Sequence, residues 1–157
     1  MQHNDAVSIL PTTIETQRFV PRKPASSSTT LTVGWIGSPS TAAYLEPLIP
    51  VLARLCARYP IEIKIVGAGP QWEARGLPVL NQPWQMENEV EAFQSLDIGV
   101  YPLPDDSWAA GKAGFKSIQY MSVGIPVVAS PVGVNCEIIQ NGDNGFLPQA
   151  HQSGKLL

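Results

Sequence analysis

Histidine and cysteine are scarce, with two of each in 157 residues. Cys56 and Cys136 lie far apart and match no metal-ligand spacing. Reduced thiols and a disulfide are both open to them, and reduced thiols in a cytosolic setting are expected. His3 and His151 fall in segments read as tails. Charge is also sparse, at 15% of residues. Ten Lys and Arg against thirteen Asp and Glu give a net charge of −3, which argues against a nucleic-acid binder. No apolar run has the roughly 20 residues of a membrane-spanning helix. The first six residues lack the basic and apolar regions of a signal peptide. There is no internal repeat.

Proline and glycine are plentiful, at 15 and 13 residues, and they punctuate short apolar runs. Strands are expected at Leu31–Ile36, Ile61–Val66, Val79–Leu80, Asp97–Tyr101 and Ile125–Ala129. Helices are expected over about 41–59 (bent at Pro50), 87–95, from 111 to the residues before Gly124, and 137–140. Strands and helices alternate, which predicts an α/β, doubly wound, Rossmann-like parallel sheet over 31–148, with ligands beyond the carboxyl ends of its strands. Residues 7–20 read as a short strand and a turn, 21–30 as an exposed linker, 102–110 as a loop and 149–157 as a frayed tail.

The stretch Gly111 to Pro131 organises the rest. Glycines and Lys112 open a helix, and Phe115, Ile118 and Met121 supply an apolar face at helical spacing. Gly124 ends it as a C′ glycine. Free N–H groups, the positive end of the helix dipole and a lysine make a site for an anion such as phosphate. Lys112 is alternatively a solvated helix-start lysine, and Lys116 reads as a surface residue. Gly37-Ser38 is either an ordinary strand-to-helix turn or a phosphate contact. Gly67-Ala68-Gly69 lacks the third glycine of a dinucleotide fingerprint, since Trp72 stands there, and reads as a turn. Trp84 suits core packing or contact with a base. Asp105-Asp106 lacks an Asp-x-Asp spacing and reads as a solvated loop. Glu137 reads as the cap of its own helix.

Tyr120-Met121, Gly124, Pro126, Val127-Val128, Ser130, Gly133, Glu137-Ile138-Ile139, Asn141-Gly142 and Gly145 follow in an order and spacing that carry a resemblance. From Leu31 to Pro148 the sequence resembles the C-terminal, donor-binding domain of a retaining glycosyltransferase of the two-domain GT-B architecture (family 4, or group 1). The segment Ile9 to Phe19 resembles the interdomain hinge of that family, so residues 1–30 are expected to be a hinge remnant and linker. The resemblance implies transfer from a UDP- or GDP-sugar to a glycan or lipid-linked acceptor, with no metal and no cofactor. It implies that Lys112, Gly37, Ser38 and Gly114 hold the donor diphosphate, and that Gln119 and Trp84 meet the ribose and base. It further implies a missing N-terminal acceptor domain, a cytoplasmic location with the inner membrane face as an alternative, and self-association through an uncovered cleft.

Gly111 and Gln119 stand where family members usually carry two glutamates. Gln119 retains a donor and an acceptor for a ribose hydroxyl. Gly111 offers no side chain, so Asp105 and Asp106 just upstream are the candidates to contact the sugar, Asp106 first, and no residue is assigned a catalytic role. The family's usual Arg and Lys near the first strand-to-helix loop are replaced by Gly37, Ser38 and Thr41. A nucleotide-binding module without chemistry and a nucleotide-sugar epimerase of the same architecture are the competing functions.

Overall fold

Apolar runs bounded by turn residues become the strands of one sheet. The computed structural model describes residues 6–23 and 29–148. Expectations for His3, residues 24–28, and the tail 149–157 with His151 lie outside the described residues. The strands are β1 (Leu31–Ile36), β2 (Ile61–Val66), β3 (Leu80–Gln82), β4 (Ile98–Tyr101), β5 (Val127–Ala129) and β6 (Gly145–Phe146). Their order is β3-β2-β1-β4-β5-β6, and every pairing is parallel. This is the doubly wound Rossmann-like α/β sheet that the alternation of elements predicts. The strand order reverses between β1 and β4, where such sheets open a crevice for ligands.

Alternation along β1 and β2 serves two cores. Val33, Trp35, Ile63 and Ile65 join Leu45 and Leu52 in one cluster, while Ile36 and Val66 join Phe93, Leu96 and Tyr120 in another. A sheet buried on both faces needs such strands. After β1 the chain forms a 3-10 helix (Pro39–Leu48) that continues into α1 (Ile49–Cys56). The expected single bent helix is therefore two helical segments. Pro47 lies inside the first and Pro50 at the start of the second, where their missing N–H groups interrupt a regular α ladder. The remaining helices are α2 (Glu89–Gln94), α3 (Ser107–Ala110), α4 (Phe115–Ser122) and α5 (Asn135–Ile138).

The α4 region departs from expectation in two ways. The helix begins at Phe115, behind Gly114 at φ +65°, so Lys112 precedes it instead of opening it. Its inward face is Ser117, Gln119, Tyr120 and Val123, all buried, whereas Phe115 is 40% exposed. The polar residues can face inward because Ser117 donates to Asn135 Oδ1 at 2.9 Å and Gln119 donates to Glu89 Oε1 at 3.2 Å. The end of α4 follows the expected chemistry. Gly124 has φ +77°, its N–H donates to the Met121 carbonyl, and the Ile125 N–H reaches back to the Tyr120 carbonyl.

Tyr120 ties α4 to the centre of the sheet. The β1–β4 ladder is confined to Val33–Ile98 and Gly34–Gly99. Beyond it the Ile36 N–H donates to Tyr120 Oη at 3.1 Å. The tyrosine ring lies over Gly99, where a Cβ would come within 2.5 Å of ring carbon Cδ1.

Residues 6–15 form no strand, contrary to expectation, and the turn lies at 16–19. Ile9 and Leu10 are each 92% exposed, so their side chains gain no burial from an extended strand. Phe19, by contrast, is buried and packs edge-on to Phe93 at 6.1 Å between centroids. Arg22 is not an exposed linker residue. It donates to the Leu96 carbonyl at 2.7 Å and pairs with Asp97 at 2.8 Å.

Candidate functional site

Two cavities open at the carboxyl ends of the strands. The first, about 390 Å³, lies at the β1/β4 reversal and is lined by Gly37, Ser38, Trp84, Glu89, Lys112 and Lys116 among others. The second, about 950 Å³, extends past Gly67, Gly69, Trp72 and Asn81 beside β2 and β3. They share Gly37, Ser38 and Trp84.

The loop after β1 is built by small residues. At Gly37 a Cβ would fall 2.2 Å from the Trp35 ring, so only glycine lets that ring fold beneath the turn. The Gly37 N–H donates to the Val66 carbonyl at 3.0 Å, and the Ser38 N–H donates to Thr41 Oγ1 at 3.3 Å. Trp84 enters from the loop after β3, is 44% exposed and borders both cavities.

Two lysines face this loop. Lys112 Nζ lies 5.9 Å from the ring centroids of both Tyr44 and Trp108, an arrangement that steadies a cation without neutralising it. Lys116 enters from the first turn of α4. Its Nζ donates to Gln119 Oε1 at 2.9 Å and sits 5.2 Å from the Phe93 centroid. Burial lowers its pKa below the ordinary lysine value, while the nearby Glu89 charge opposes that shift. Burial likewise raises the pKa of Tyr101, at the end of β4, and neighbouring Tyr44 adds to it.

Glu89 is the carboxylate of the first cavity. It is 9% exposed, accepts a hydrogen bond from Gln119 and pairs with Arg18 at 3.2 Å. An acidic stretch usually reads as a solvated face. The signal that identifies Glu89 is its spacing of four and seven residues from Phe93 and Leu96, which puts it on their inward side. Nothing local marks Arg18.

Of the residues singled out from the sequence, Lys112, Gly37, Ser38 and Trp84 line one cavity, and Lys116 joins them. Gly114, Gln119 and Asp106 do not line it. Gly114 is buried against Ile138, with no room for a Cβ. Gln119 is 1% exposed, with both ends of its amide engaged by Lys116 and Glu89. Asp106 caps α3 by accepting from the Ala109 N–H at 2.7 Å, so 102–110 is not simply a loop. Gly111 closes α3 at its C-cap. Glu137 makes no side-chain cap to α5. Cys56 and Cys136 are free thiols. Among the described residues no three His, Cys, Asp or Glu side chains gather, and no helix is long and apolar enough to cross a membrane.

A protein-family model described as glycosyl transferases group 1 matches residues 30–156. Comparison with curated proteins gives no match. Among solved structures the chain is similar to TarM, at 20% identity and TM-score 0.63, over 85% of this chain and 28% of that one. It is similar to Anabaena HepE in complex with UDP-glucose, at 20% identity and TM-score 0.58, over 76% of this chain and 35% of that one. A third is the pneumococcal O-GlcNAc transferase GtfA in complex with UDP and GlcNAc, at 14% identity and TM-score 0.55, over 86% of this chain and 26% of that one. The chain thus spans about a quarter to a third of these proteins, and the likeness is one of fold.

Proposed function

This chain belongs to the group 1 glycosyl transferases, and on that premise we propose that its cavity at the β1/β4 reversal holds the diphosphate of a UDP- or GDP-sugar. The observation that carries this reading is the placement of Lys112 and Lys116 opposite the Gly37-Ser38 turn in one cavity. Two cations in one cavity favour a polyanion there. Trp84 spans both cavities, so a base can stack on it while the larger space beside β2 and β3 receives the rest of the nucleoside. HepE and GtfA, whose folds are similar, were solved with UDP-glucose and with UDP and GlcNAc respectively.

During transfer, charge develops on the departing diphosphate, and lysines already held at the cavity stabilise it without reorganising. The reaction class is glycosyl transfer with retained configuration and without a metal, to a glycan or lipid-linked acceptor presented by a second, N-terminal domain. A module that binds nucleotide without chemistry is the second reading. Gly111 favours it by offering no side chain to the sugar, and so does Gln119, whose amide is already engaged within the protein.

Calorimetric titration with UDP, GDP and NAD separates these readings from a dinucleotide enzyme. Saturable heat with UDP or GDP and none with NAD is expected. Heat with NAD alone would refute the proposal. Sugar transfer or donor hydrolysis by the chain with its N-terminal domain then distinguishes enzyme from module.

The proposal also fixes a pH dependence. Because burial lowers the Lys116 pKa, this lysine loses its proton below the ordinary value of 10.5. Affinity for UDP is therefore expected to fall as pH rises through the alkaline range below that value. Lys116→Arg keeps its charge there and is expected to flatten the fall. A profile unchanged by that substitution would mean that Lys116 does not face the ligand.

A further inference from the structure

Glu89 poses a problem for a diphosphate site. Its carboxylate lines the same cavity as Lys112 and Lys116, where an unbalanced negative charge would repel the ligand. The balance comes from outside the sheet. Arg18 Nη2 lies 3.2 Å from Glu89 Oε2, while Gln119 donates to Oε1 and holds Lys116 through its other end. Arg18, Glu89, Gln119 and Lys116 form one continuous chain from the segment before β1 to the first turn of α4. Arg18 Nη2 also donates to the Met86 carbonyl at 2.9 Å, two residues from Trp84. The segment is seated independently by buried Phe19 and by the Arg22 bonds to Leu96 and Asp97, which present Arg18 at a fixed place.

We propose that Arg18 is a positioning residue of the site: it neutralises Glu89 and anchors the loop carrying Trp84, so that affinity for a nucleoside diphosphate depends on the seating of the segment before β1. The proposal rests on the reading of this cavity as a diphosphate site. Arg18 itself does not line the cavity and acts through Glu89. A change in the path of the segment alters the charge of the site without any change in the sheet.

A mutant cycle read by calorimetry with UDP tests this, on the full chain, with circular dichroism confirming each fold. Arg18→Ala is expected to weaken UDP binding about tenfold. Arg18→Lys keeps the charge and is expected to bind within about threefold of the wild type, at the cost of the bond to Met86. Glu89→Gln removes the repulsion and is expected to tighten binding. The double variant Arg18→Ala/Glu89→Gln is expected to bind within about threefold of Glu89→Gln, because Arg18 then has no charge to balance and only its bond to Met86 is lost. A full tenfold loss in the double variant relative to Glu89→Gln would mark a merely structural arginine and would overturn the proposal. Unchanged affinity in Arg18→Ala would overturn it too. Should Arg18→Ala fail to fold, the same comparison is made with Arg18→Gln, alone and with Glu89→Gln. A wild type that binds neither UDP nor GDP overturns the diphosphate reading itself, whereas one that binds UDP and ignores Arg18 overturns only this inference.

Discussion

Tyr120→Ala is expected to destabilise the domain by about 3–5 kcal/mol, the usual cost of truncating a buried aromatic side chain. The ring is fully buried, 5.0 Å from Phe93 in an edge-on contact and over Gly99. Its removal opens a cavity between α4 and β4 that the flat glycine surface cannot fill. It also strips the Ile36 N–H of its acceptor at the point where β1 and β4 part. Since domains of this size hold roughly 5–15 kcal/mol in all, urea unfolding should show a large drop in midpoint. Tyr120→Phe isolates the hydroxyl. It is expected to cost about 1–3 kcal/mol for the unpartnered N–H and to leave the ring packing in place. Ile36 lines the cavity at the β1/β4 reversal, so, on the proposed reading of that cavity, Tyr120→Phe is also expected to weaken UDP binding. A Tyr120→Ala protein as stable as the wild type would show that α4 is not held by this contact.

The second large effect concerns charge. Replacing both Lys112 and Lys116 by alanine is expected to weaken UDP binding by about a hundredfold or more. Each charge-assisted hydrogen bond contributes roughly 1.5–3 kcal/mol, and about 1.4 kcal/mol is tenfold in affinity. The two lysines differ in kind. Lys112 lies 5.9 Å from the ring centroids of Tyr44 and Trp108 and, among the described residues, pairs with no carboxylate, so Lys112→Ala should remove binding energy and little stability. Lys116 also engages buried Gln119, so Lys116→Ala should cost some stability as well. Calorimetry with UDP, set beside thermal unfolding of each single and double variant, separates the two. Equal UDP affinity in the double variant and the wild type would move the diphosphate elsewhere.

The fold was legible because its signals are local. Leu31–Ile36 is a largely apolar run and Ile61–Val66 an alternating one, closed by Gly37 and Gly67, and both are strands with those bounds. Gly124 ends α4 through backbone geometry that a glycine after an apolar helix announces. What escaped depends on partners far away in sequence. Ser117 and Gln119 look like an outward face, yet Asn135 and Glu89, 18 and 30 residues distant, satisfy them inside. No helical window contains those partners, and so periodicity alone points Phe115 inward in their place. Asp106 was legible in principle, since an Asp before Ser107 and three residues ahead of Ala109 is an N-cap signal. Lys112 and the Gly37-Ser38 turn converge because doubly wound sheets gather their loops at one edge. Glu89 joins them from α2, and Arg18 reaches Glu89 through packing of a segment that precedes the sheet altogether.

The most direct test is amide chemical-shift mapping of the isotopically labelled chain during titration with UDP and GDP. The expected result is saturable shifts concentrated at Ile36–Ser38, near Trp84 and from Lys112 to Ser117, with weaker effects at Glu89 and Arg18. Shifts confined to residues away from the β1/β4 reversal, or none with either nucleotide, would contradict the assignment of the diphosphate to this cavity.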